Sequence, residues 1–155
     1  MLAKLASLIT GDQVTAEQAI VAACDLTLRG NSPFRDWLFE WAKAATITSA
    51  ISQRAAAIRH CESGYTGRPC NHAEHLLQAD VDERAASLNL VLQTDSRIFI
   101  TALDPLCRAV LVLRIAIRSS IQDCVIRLNV SRAAVLAANC IAMTWLASRF
   151  ALAKE

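Results

Sequence analysis

Glycine and proline are scarce in this chain, four and three respectively among 155 residues. A turn-rich all-β fold needs more of both, whereas Ala- and Leu-rich stretches with few breakers favour helices. Strong net charge is also missing. The formal value is only +2, so bulk electrostatics does not by itself single out a nucleic-acid partner. No stretch has the length and cleavage pattern of an export signal; Met1–Ile9 holds one Lys and a short apolar run. Ala133–Ala147 is nearly apolar but falls short of the ~20 residues that a membrane-spanning helix needs. A phosphate-binding Gly loop is lacking, and no nucleophile, base and pocket motif stand together, so neither an enzyme nor a bound cofactor is expected. There is no internal repeat. Cysteine, by contrast, is plentiful at six residues. With no export signal, these are expected as reduced thiols in a cytoplasmic protein without a membrane partner.

The chain does hold enough apolar surface to build a core, 54% of its residues being hydrophobic. Its length suits one domain or two very small ones. Charge is unevenly spread. Residues 1–60 hold six Lys/Arg against five Asp/Glu (+1), residues 61–100 three against six (−3), and residues 101–155 seven against three (+4). The basic part is therefore the last third, as a DNA-facing domain requires, although ordinary surface charge would give the same sum.

Thr15 with Gln18 makes a capping-box start for a helix through about Arg29, and Gly30-Asn31-Ser32-Pro33 breaks it. A longer helix is expected from about Pro33 to His60, with Phe34, Trp37, Leu38, Trp41, Ala45 and Ile51 facing inward. Cys61–Pro69, with Gly64 and Gly67, is the clearest irregular segment and the expected start of a linker. Glu74–Leu92 has helical composition. Asp104-Pro105 then signals a helix start, with Leu106, Val110, Leu113 and Ile117 on one face. Ser120 and Asp123 form a capping pair for a short helix carrying Ile121, Cys124, Val125 and Leu128. Leu128-Asn129-Val130 is a tight turn, and Ser131 caps a third helix from Arg132 to about Ala147. A short helix, a three-residue turn and a second helix make the DNA-reading helix-turn-helix, whose second helix lies in the major groove.

These residues carry a family resemblance. Leu103-Asp-Pro-Leu-Cys-Arg-Ala-Val-Leu-Val-Leu-Arg114, Ser120-Ile-Gln-Asp-Cys-Val125 and Leu128-Asn-Val-Ser-Arg-Ala-Ala-Val135 resemble the promoter −35-reading domain of bacterial sigma factors of the extracytoplasmic-function (ECF) type, in the sigma-70 family. Upstream, Ser32-Pro-Phe-Arg-Asp-Trp-Leu-Phe-Glu-Trp-Ala-Lys-Ala44 is similar to the ECF segment that opens and reads the −10 element. The two matches stand in family order. The resemblance implies an all-α protein of two small helical domains. A truncated region 2-like domain would span residues 1–60, a linker 61–97, and a region 4-like helix-turn-helix of the winged-helix-like superfamily 98–152. It implies core RNA polymerase and promoter DNA as partners, an anti-sigma protein as a further one, and no catalysis. Phosphate contacts would come from Arg114, Arg118 and Arg127, and base readout from Ser131, Arg132 and Asn139.

Two other readings stay open. No charged residue stands between Ala133 and Ser148, and Val21-Ala22 stands where the family has a Gln-Glu pair that grips the polymerase clamp. Both fit a degenerate sigma-like regulator that binds protein instead of DNA. The other reading is a metal- or redox-responsive regulator, because His60, Cys61, Cys70, His72 and His75 crowd into sixteen residues. Cys61, Cys70, His72 and His75 could furnish a tetrahedral zinc set, but Cys-x8-Cys-x-His-x2-His lacks the close cysteine pair of a finger. The plain alternative is a polar linker. His60-Cys61 as a catalytic dyad lacks an orienting group. Cys24, Cys107, Cys124 and Cys140 fall at apolar helical positions and read as small core residues.

Overall fold

Four helices of this protein start where a short polar side chain accepts a free backbone N–H, and two stop where the backbone turns left-handed. The computed structural model describes residues 2–29, 35–65 and 102–152. They form six α-helices: α1 (Leu2–Thr10), α2 (Gln13–Arg29), α3 (Arg35–Glu62), α4 (Pro105–Leu111), α5 (Ile121–Leu128) and α6 (Arg132–Leu152). A 3-10 turn, Ser63–Tyr65, follows α3, and a π turn, Val112–Ala116, extends α4. No strand occurs among the described residues, so the all-α expectation holds.

The first helix was not anticipated from the sequence. Nine residues are too few to be helical alone in water. Here Leu5, Ala6, Leu8 and Ile9 are buried, and α1 packs on α2, α3 and α4, so tertiary burial holds it. Gly11 ends it at φ +78°, donating its N–H to the Ser7 carbonyl at 2.8 Å. A Cβ at Gly11 would run into the Arg108 guanidinium. Asp12 then caps α2, its Oδ1 accepting the Thr15 N–H at 2.7 Å. The expected Thr15 cap is thereby corrected. A carboxylate directly after the left-handed glycine reaches the orphan N–H groups first. Asp12 also pairs with Arg54 of α3. Hydrogen bonds from Thr15, and then the Arg54 charge, hold its carboxyl below the usual range.

In α3 the inward face is Ile47, Ala50, Ile51 and Ile58. Trp41 is 40% exposed and Ala45 only half-buried, which corrects the expected stripe. At about 100° per residue, Trp41 stands about 120° round the helix from Ile47, so the two sets cannot share one face. The Gly30–Pro33 break and the side chains of Phe34, Trp37 and Leu38 lie outside the described residues, as does the chain from residue 66 to 101 with Glu74–Leu92.

The fourth helix is the hub. Asp104 caps it as expected, accepting the Leu106 and Cys107 N–H groups at 2.9 and 3.0 Å with Pro105 in the first turn. Every residue from Leu106 to Ile115 is buried, the signature of a helix covered on all sides. It packs on α1 and α3 on one side and α6 on the other. One hydrophobic core consequently runs from Leu5, Ile9, Ile47 and Ile58 through Leu106 and Val110 to Leu128, Val135 and Leu146. The helices on either side of the expected 61–97 linker share that core.

Candidate nucleic-acid interface

Ser120 opens α5 with a full capping box. Its Oγ accepts the Asp123 N–H at 3.0 Å, and Asp123 Oδ2 accepts the Ser120 N–H at 3.0 Å. These hydrogen bonds, with a smaller contribution from Arg127, keep the Asp123 carboxyl below its usual range. Ile121, Cys124 and Leu128 turn inward. Asn129 ends the helix in the left-handed region at φ 52°, a conformation that asparagine tolerates better than most residues. Val130 is buried, and Ser131 Oγ accepts the Ala134 N–H at 3.3 Å to start α6. Across this turn the chain bends by 114°, within the range of helix-turn-helix units.

The six residues singled out for DNA divide into two groups. Arg118, Arg127, Ser131 and Arg132 are exposed on the α5 side of the unit and at the start of α6. Arg118 links the π turn to α5 with φ 57°. Arg114 and Asn139 are withdrawn. Arg114 is 2% exposed, and its Nη1 donates to the Ser119 carbonyl at 2.6 Å, so its guanidinium ties the π turn to the entry of α5. The phosphate contact expected of Arg114 and the base contact expected of Asn139 therefore have no exposed group behind them. The physical reason lies in the face each residue occupies. Arg114 is four residues beyond buried Val110, and Asn139 four beyond buried Val135, so both share the inward side of their helices. Among the described residues, neither side-chain polar atom of Asn139 has a hydrogen-bond partner.

The end of α3 meets this unit at Ser131 and the start of α4 beside it. Glu62 Oε1 accepts the Ser131 N–H at 2.7 Å, across 69 residues of sequence. Tyr65 is buried, and its hydroxyl donates to Asp104 and lies 3.0 Å from the Cys107 Sγ. Burial first, then these hydrogen bonds, push the Tyr65 phenol far above its ordinary range. Neither residue was singled out in the sequence. Tyr65 is the chain's one tyrosine, an available hint of a special position, but no local pattern pairs Glu62 with a serine so distant.

Of the proposed zinc set, Cys70, His72 and His75 lie outside the described residues, and among the described ones no group of three ligand-type side chains converges. Burial, then the Asp104 charge, raises the Cys61 thiol above its usual range, and His60 is exposed. A protonated thiol is a poor nucleophile, so the His60-Cys61 dyad gains no support. Burial likewise pushes Cys107 up to about 12 and Cys124 up to about 11. Both are core residues as expected. Cys24 is a free thiol but exposed, which corrects its expected place in the core, and Cys140 is disulfide-bonded, which corrects the expectation of six reduced cysteines. Distance in space, not spacing in sequence, decides which sulfurs can bridge. Among the described residues, no single helix is long and apolar enough to cross a membrane.

No family model matches the chain, and no curated protein or solved structure is significantly similar to it.

Proposed function

We propose that this protein is a sigma-type transcription factor that reads promoter DNA with α5 and α6 and engages core RNA polymerase through its N-terminal helices. One observation carries the reading. A capped α5, a left-handed Asn129 and a Ser131-capped α6 follow one another through a 114° bend, with Arg127, Ser131 and Arg132 exposed around it. The N-terminal end of a helix with an arginine in its first turn suits both phosphate contact and guanine readout. Arg118 adds a further exposed cation at the entry to α5. The region 4-like and winged-helix-like assignment belongs to this proposal and rests on the sequence resemblance. Arg132→Ala is expected to abolish promoter preference in footprinting, and an unchanged footprint would remove the assignment. Retention of core RNA polymerase on the immobilised protein, against an unrelated helical control, tests the other half.

The second reading has its own observation. Most of α6 from Ala134 to Leu146 is buried, with Asn139 inside, so the continuous exposed run at its start is limited to Ser131–Ala133. A sigma-like regulator that binds a protein partner, an anti-sigma protein or the polymerase itself, requires no more than that. It predicts micromolar or weaker DNA binding with little salt dependence, whereas phosphate-led binding falls steeply with salt.

A further inference from the structure

The first turn of α6 is the part of the unit that has to face DNA, and it is already in contact with the rest of the chain. Glu62 closes α3 and places a carboxylate oxygen 2.7 Å from the Ser131 N–H. Such an N–H, at the positive end of a 21-residue helix, is the group that a DNA phosphate would otherwise take. Three residues on, Tyr65 is buried and its hydroxyl engages Asp104 and Cys107 at the start of α4. The α3 end is thus held at two independent points, a polar half-exposed one on the start of α6 and a core one on the start of α4. Ile58, the last fully buried residue of α3, belongs to the same core as Leu106 and Val135, so the contact continues inward from the surface.

We propose that residues 62–65 mask the DNA-reading end of α6, the Glu62 carboxylate standing where a phosphate would bind, so that tight DNA binding requires this end of α3 to move away. The proposal deepens the DNA-reading assignment and rests on it. A negative charge at this place repels the DNA backbone as well as occupying the donor. Release exposes the Ser131 N–H and leaves Arg132 beside an unblocked helix start. Any partner that draws α3 away from α6 would then raise DNA affinity without touching DNA itself.

The test uses the full chain and a fluorescent mixed-sequence DNA duplex, with anisotropy measured over a series of salt concentrations. Glu62→Ala is expected to bind at least about tenfold more tightly than the wild type at low salt. Its plot of log affinity against log salt should be steeper by about one unit, one additional phosphate contact. Asp25→Ala, an equal charge change at an exposed position of α2, should not reproduce the gain. Amide exchange at Ser131 should accelerate in Glu62→Ala, and unchanged exchange would overturn the contact itself. Wild type and Glu62→Ala binding equally, with Arg132→Ala still impaired, overturns the masking and leaves the DNA reading standing. An equal gain from Asp25→Ala also overturns the masking, since net charge then explains it. Absence of binding by every protein at low salt overturns the DNA reading and the masking together.

Discussion

Asn139 is fully buried on α6, and neither its amide nitrogen nor its oxygen is hydrogen-bonded to any of the described residues. A buried amide left in this state costs about 1–3 kcal/mol. Asn139→Leu removes the polar atoms and keeps the branched heavy-atom shape, so denaturant unfolding is expected to show a gain of about 1 kcal/mol. DNA affinity should not change, because the side chain presents nothing to a groove. A loss of affinity in that variant would show that Asn139 reaches DNA after all. Arg114 teaches the same lesson for a charge. Its identity as a helix-face arginine pointed to phosphate, but its neighbours Leu113 and Ile115 are buried and so is it. The guanidinium serves the Ser119 carbonyl instead. Sequence reasoning placed both residues on the correct helices and missed their faces, because facing depends on what packs against the helix.

At the scale of elements, capping was the most readable signal. Asp104, Ser120 and Ser131 all cap the helices they were expected to cap. Each signal lies within three residues of the helix it starts, so no tertiary information was needed. Ser120→Ala should cost about 1 kcal/mol in thermal or denaturant unfolding, the ordinary worth of a helix N-cap. The Asp123 partner adds a pH dependence. Its folded carboxyl titrates below its unfolded one, so its contribution is complete above the unfolded value near 3.9 and is lost as pH falls through the lower folded value. Asp12 at the start of α2 behaves with the same sign. Circular dichroism during acid titration should therefore show α5 and α2 weakening below about pH 4, and Asp123→Asn should remove its share of that slope. A slope identical to the wild type's would mean that the capping box does not form in solution. The α2 start was misplaced for a different reason. Asp12 and Thr15 are both plausible caps, and the choice fell to Asp12 because Gly11 ends α1 immediately before it.

For the whole molecule, the deciding feature is α4, buried on all sides between α1 and α3 and α6. Helices that share one core exchange no stable surface with water until all of them open, which favours a single cooperative transition. Far-UV circular dichroism and tryptophan fluorescence should give the same urea midpoint, Trp41 reporting from α3 and Trp145 from α6. Two resolved transitions would instead show that the halves before and after residues 66–101 fold independently. The same packing gives the masking of α6 its meaning, since the end of α3 can reach Ser131 only because α3 and α4 lie together.

Sequence alone determined that the chain is helical, where most of its helices begin, and that a short helix, turn and helix close the C-terminal part. These follow from breaker scarcity, 3.6-residue periodicity and caps, all properties of neighbouring residues. Tertiary structure decided the rest. It formed α1 by burying it, turned Arg114 and Asn139 inward, bridged Cys140, and brought Glu62 onto the helix-turn-helix and Tyr65 onto α4. Each of these depends on which surfaces meet when the apolar faces of distant segments are removed from water, and no local pattern encodes that meeting.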